Sequence, residues 1–240
     1  VSKPIALALA AVLAVVALVA AVVRVSSHHV SPAPSLLPAS PRERSRAREV
    51  DVAVERLRTL QLESAALMPD DARGVFIGLR RDELARAHPT AQPSPSGIPG
   101  HVLLQEVRPS GAVVAYLLSE RLQRVAQVQF LSRLPDPSGL PAHYESLRAR
   151  YGDPAGFIEC PETAETAATR RILWIGRETT VMEAILVHAG GVGLTLAVAA
   201  NTDVAAAVRR QGCRPVPRES TAEWPIARSL RGERVPVAPR

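Results

Sequence analysis

Lysine is almost missing from this 240-residue chain: Lys3 is the single example, and arginine carries the rest of the basic charge. A glycine-rich phosphate loop that relies on a lysine is therefore excluded beyond residue 3. Aromatic residues are scarce as well, with two Trp, three Tyr and three Phe. So few rings do not furnish the aromatic-lined basic sheet of a nucleic-acid binder, and no recognisable module stands in for it. Nucleic acid is an unfavoured partner on both counts. The two cysteines, Cys160 and Cys213, are far apart, have no metal-ligand spacing and are too few for a disulfide framework. Neither G-x-S-x-G nor H-E-x-x-H occurs, so the commonest hydrolase and zinc-protease signatures are absent, and no cofactor or metal is implied.

What the chain does have is a long apolar run. Residues 4–23, PIALALAAVLAVVALVAAVV, contain no charge and no strongly polar group. As a helix they span about 30 Å, the thickness of a bilayer core, and a helix is how such a backbone satisfies its own hydrogen bonds in lipid. The apolar stretch is longer than a typical signal-peptide core, which favours an uncleaved anchor over a cleaved leader. Lys3 precedes it, while Arg24 and Arg42, Arg44, Arg46 and Arg48 follow. Charge alone does not orient it. The short N-terminal stub favours a single-pass inner-membrane signal anchor over residues 1–24, with the rest periplasmic or otherwise extracytoplasmic.

Residues 25–47 read as a Pro/Ser/Arg-rich linker, in which His28 and His29 serve as polar spacers. Residues 47–67 place Val50, Val54 and Leu57 at helical spacing, then Gln61 or Leu60 and Leu62. Two heptads are too short to argue a coiled coil, so the stripe is expected to pack on the domain that follows. That domain, 48–212, predicts a short extended piece and a helix over 74–89. Strands follow at 101–107 and 112–118 and in RLQRVAQVQFL. A second helix covers 139–154, with strands at 170–176, 179–189 and 192–200 and a closing helix at 202–212. The connections are too tight for parallel crossovers. The expected fold is α+β, an antiparallel sheet with helices on one face, arranged as two tandem helix-plus-three-strand halves behind one transmembrane helix. Residues 213–240 read as a basic, disordered tail: from Arg209 onward there are eight arginines against three glutamates.

GVFIGLRRDELARAHP resembles the opening motif of the BamE/SmpA-like superfamily and its beta-lactamase-inhibitor-like relatives, through Gly74, Gly78, Asp82, Glu83, Leu84 and Pro89. Tyr151, Gly152 and Pro154 look like a second copy of the motif's end, and Trp174 is similar to the tryptophan on the strand that follows. The resemblance covers roughly residues 74–200. It implies an envelope-assembly or protein-binding module and not an enzyme. Arg80 and Arg81 depart from the small polar cap usual there, and no binding residue carries over.

The chemistry-bearing residues are scattered. His88, His101, His143 and His188 are dispersed, and His101 and His188 fall at strand ends or turns. A thiol mechanism would need His143 and Glu145 beside Cys160, which the spacing does not show. Cys160 and Cys213 are able to pair in an oxidising compartment. Tyr144, Tyr151 and Trp174 are candidate interaction anchors, although so small an aromatic set is needed mostly inside. The expected function is a membrane-anchored, non-enzymatic interaction or assembly module whose partner is another envelope protein. The alternatives are a membrane-anchored hydrolase with a site that converges only in three dimensions, and a domain whose basic tail binds anionic lipid. Oligomeric state is left open.

Overall fold

A computed structural model of the chain describes residues 40–162, 168–188 and 191–230. The chain divides into two units, 1–50 and 51–240. Of the first, the described residues begin helix α1, Pro41–Leu67, which continues into the second. Proline at the first helical position costs no hydrogen bond, and the Arg/Glu/Ala/Leu sequence after it is strongly helix-forming. Helix therefore begins inside the stretch read as linker. The apolar run 4–23 lies outside the described residues. Among the described residues no helix is long and apolar enough to cross a membrane.

The α1 stripe packs only over its C-terminal half. Ser64 is buried and accepts the Ile77 N–H at 2.9 Å, and the Leu67 carbonyl accepts the Tyr151 hydroxyl at 3.1 Å. Val54 remains 60% exposed and Leu57 49%, which corrects the expectation that the whole stripe is covered. Gly78 shows how closely the two parts meet. Its φ is +95°, and a Cβ there would stand 3.4 Å from the Gln61 amide nitrogen.

After a 3₁₀ turn at Asp70–Ala72 come α2 (Arg81–Ala87), β1 (Gln92–Ser94), β2 (His101–Val107), β3 (Val113–Ser119) and β4 (Arg124–Leu134). A second round follows: α3 (Leu140–Tyr151), β5 (Gly156–Cys160), β6 (Thr169–Ile175), β7 (Thr179–His188) and β8 (Gly191–Ala200). Then come α4 (Asn201–Arg210), β9 (Arg214–Pro215), a 3₁₀ segment at Arg218–Glu223 and α5 (Pro225–Leu230). The strands form one nine-stranded antiparallel sheet in the order β1-β2-β3-β4-β8-β7-β6-β5-β9. Each round is a meander, and the two join where β4 pairs with β8, from Gln127 opposite Ala199 to Leu134 opposite Val192. The protein is α+β, as its short connections require.

Strand residues alternate faces. The inner face carries Val114, Tyr116, Leu118, Ile172, Trp174 and Val198 into one core with Leu84 of α2, and Leu140, Tyr144 and Leu147 of α3. The other face holds a smaller cluster, Ile158, Cys160 and Leu173, against Val208 of α4 and Cys213. Helices thus cover one face broadly and the second locally, where a single covered face is the sequence expectation. Two segments without an expected element are ordered: β5 falls between the helix expected over 139–154 and the strand expected at 170–176, and the expected disordered tail supplies β9 and α5. Trp224, at 2% exposure, sits edge-to-face on Phe157 at 5.5 Å and closes the inner core.

Candidate functional site

The densest polar cluster joins the end of α2 to β2 and β3. His88 follows α2, where Pro89 prevents continuation of the helix. Glu106 lies on β2 and Tyr116 on β3, one register step apart on the inner face. The imidazole Nδ1 of His88 lies 2.8 Å from Glu106 Oε1, which also accepts from the Tyr116 hydroxyl at 2.5 Å and from Arg108 Nη2 at 2.8 Å. Thr90 donates its hydroxyl to Glu106 Oε2 at 2.8 Å. Burial is the largest influence on this carboxyl and pushes its pKa up. The hydroxyls of Tyr116 and Thr90, with the charges of His88 and Arg108, outweigh it and hold the pKa below the ordinary value. The Tyr116 phenol moves the other way, raised first by burial and then by the neighbouring carboxylate. His88 and Glu106 themselves, with Asp70, Asp71, Arg73, Thr90 and Arg108, line a cleft of about 340 Å³.

This arrangement has the members of an acid–base pair, and both line the cleft while remaining nearly buried. His88 Nε2 is buried without a hydrogen-bond partner among the described residues. A general base must reach the proton it takes. The cluster clamps the α2–β1 turn to the sheet and fixes Arg108, which also donates to the Asp71 carbonyl.

A second buried carboxylate sits on β7. Glu183 is fully enclosed, meets His143 Nε2 of α3 at 3.0 Å through Oε1, and leaves Oε2 unpartnered among the described residues. Burial raises its pKa, against the hydrogen bond and charge of His143. Both acids carried a sequence signal that patterning alone passes over. In HVLLQEV, Glu106 shares the inward parity of Val102 and Leu104; in TTVMEAILVHA, Glu183 shares that of Val181 and Ile185. An acid in a core position implies a partner elsewhere in the chain.

The residues of the thiol hypothesis are not brought together. Cys160 is disulfide-bonded to Cys213 on the outer face, His143 faces Glu183 on the inner side, and Glu145 pairs with Arg148 at the surface. Tyr144 and Trp174 are buried in the chain's own core. The Trp174 indole donates to the Gly152 carbonyl at 2.9 Å and lies 5.8 Å from the Tyr151 ring. His101 stands near the surface, its Nδ1 3.0 Å from the Pro99 carbonyl; His188 ends β7 opposite Gly191. Among the described residues no group of three His, Cys, Asp or Glu is placed to hold a metal.

The outer face beyond α4 is open. Register aligns Val107, Val113, Leu131, Thr195 and Ala184 in one row across β2, β3, β4, β8 and β7. Val107 is 74% exposed, the other four are half-buried, and Leu186 beside them is exposed. The strands VVAYLL and AILVHA are apolar on both parities, which is the sequence trace of this second face. No family model, no curated protein and no solved structure matches the chain.

Proposed function

We propose that the chain is a membrane-tethered, non-enzymatic interaction module built as two tandem helix-and-meander halves, and that it docks another envelope protein on the open row of its sheet. The observation that carries this reading is that row: Val107, Val113 and Leu131 leave apolar surface uncovered on a sheet whose other face is packed throughout. Apolar strand residues in a row suit a partner of matching shape better than they suit water. The apolar run 4–23, expected to act as a transmembrane anchor, supplies the tether. The Cys160–Cys213 bond supports an extracytoplasmic domain, because such bonds persist in oxidising compartments.

The test is site-specific photo-crosslinking in intact cells of the producing organism. A crosslinker at Leu131 is expected to trap a second protein, while one at exposed Leu122, outside the row, is expected to trap none. Equal yields at the two positions, or none at Leu131, would reject the docking surface. A membrane-impermeant maleimide applied to a cysteine engineered in the 26–41 linker tests the side of the membrane independently, and shielding until lysis would reject the extracytoplasmic placement.

A further inference from the structure

Helix α4 does not lie flush on the outer face. Between it and the sheet runs a cavity of about 170 Å³, with Met182, Ala199 and Ala207 among its apolar walls, and with Arg171, Arg210, His101, Gln127 and Asp203 as its polar members. Small side chains on both sides hold it open. The disulfide from Cys160 on β5 to Cys213, three residues beyond α4, fastens the helix end above it.

Arg171 is the unusual member. It is only 8% exposed. Its Nε donates to the Thr169 hydroxyl at 3.0 Å, and its Nη1 meets nothing better than the Met182 thioether at 3.8 Å. Among the described residues no carboxylate lies within ion-pair distance of it. The half-buried Arg108, by contrast, has Glu106 at 2.8 Å. Burying most of a guanidinium without an anion is costly, and burial alone lowers the pKa of this one. Such a cation is a receptor for an anion that the described residues do not supply.

We infer that this cavity binds a short-chain monocarboxylate, with its carboxylate on Arg171 and its alkyl body between α4 and the sheet. The volume is below the roughly 300–1,000 Å³ of pockets that hold drug-sized ligands, so the ligand is small. Most of the wall residues are apolar, so its body is apolar. Arg210 and His101 in the same lining add to the attraction for an anion, and Asp203 opposes it. The inference does not rest on the docking row, although Arg171 continues that row on β6 opposite Ala184.

Two methionines make the test direct. Met182 lines the cavity, and Met68 is buried in the opposite core. With [¹³C-methyl]methionine in the full chain, sodium butanoate is expected to move the Met182 methyl resonance saturably and leave Met68 in place. Butanamide should bind weaker by about tenfold or more, because it loses a charge-assisted contact. Arg171→Leu should abolish the butanoate response while raising the melting temperature, because it removes an unpaired buried charge and adds no third methionine. Asp203→Asn should tighten butanoate binding several-fold and decides the matter if the first variant does not fold. A Met182 signal indifferent to butanoate, an equal response to butanamide, or an affinity unchanged in Asp203→Asn would each overturn the proposal.

Discussion

Glu106 and Glu183 are both acids at core positions of neighbouring meanders, yet their surroundings treat the charge in opposite ways. Glu106 collects donors from Tyr116, Thr90, His88 and Arg108, and its pKa is lowered. A depressed carboxyl contributes stability that is fully present above its unfolded value of about 4.3 and is lost as pH falls through the lower folded value. Glu106→Gln should cost about 3–5 kcal/mol at neutral pH, because it leaves the half-buried Arg108 without its anion. In urea melts the cost should shrink below pH 4, where the parent loses the same interaction. Glu183 has one partner, and burial raises its pKa. Its contribution is therefore present below the unfolded value and is lost as pH rises towards the folded one. Glu183→Gln should gain on the parent between pH 4 and 7 in the same melts. A flat difference over that range would show that the buried carboxylate is as comfortable charged as neutral.

Elements hold together here through a few well-placed side chains as well as through apolar stripes. One carboxylate of α1, Glu63, accepts the N–H groups of Arg177, Glu178 and Thr179 at 3.1, 2.8 and 3.1 Å. Arg56, two turns earlier, grips Glu178 with two nitrogens. Glu63→Ala should therefore cost about 2–4 kcal/mol, several times an exposed ion pair, and should speed amide exchange at 177–179. Equal exchange in parent and variant would mean that the β6–β7 turn holds itself. This clasp was not legible in the sequence, because Glu63 and the turn are more than a hundred residues apart. Local patterns were: the α3 stripe Leu140, Tyr144 and Leu147 is buried as its spacing predicts, and β2, β3, β7 and β8 follow from short apolar runs bounded by turns. The GFIEC strand was missed because it is five residues between prolines and takes its order from neighbours, Thr169–Leu173 on one side and Arg214–Pro215 on the other. The His88–Glu106–Tyr116 cluster was missed for a related reason. Its members look ordinary one at a time, and only sheet register puts them together.

At the scale of the whole molecule, the C-terminal segment decides how the fold closes. Composition marks residues 213–240 as a basic tail, and a lipid-binding role would follow from its charge. Packing shows a different use for its first half. Cys213 is bonded to β5, Arg214–Pro215 pair with it at the sheet edge, and Trp224 fills the inner core against Phe157. Arg214 and Arg218 are exposed while Trp224 is buried, so charge and stability are separable by substitution at these positions. Trp224→Ala should cost about 3–5 kcal/mol, the usual range for emptying a buried aromatic site. Arg214→Gln with Arg218→Gln should change stability by no more than about 0.5 kcal/mol, because both side chains are exposed. Deleting everything after residue 212 would therefore confound lipid binding with unfolding, and the double arginine variant is the cleaner probe of charge. If Trp224→Ala melts with the parent, the segment is an appendage and the core is complete without it. If it melts well below, the second meander and the chain's end fold as one unit, and any partner that meets the tail meets a structured surface.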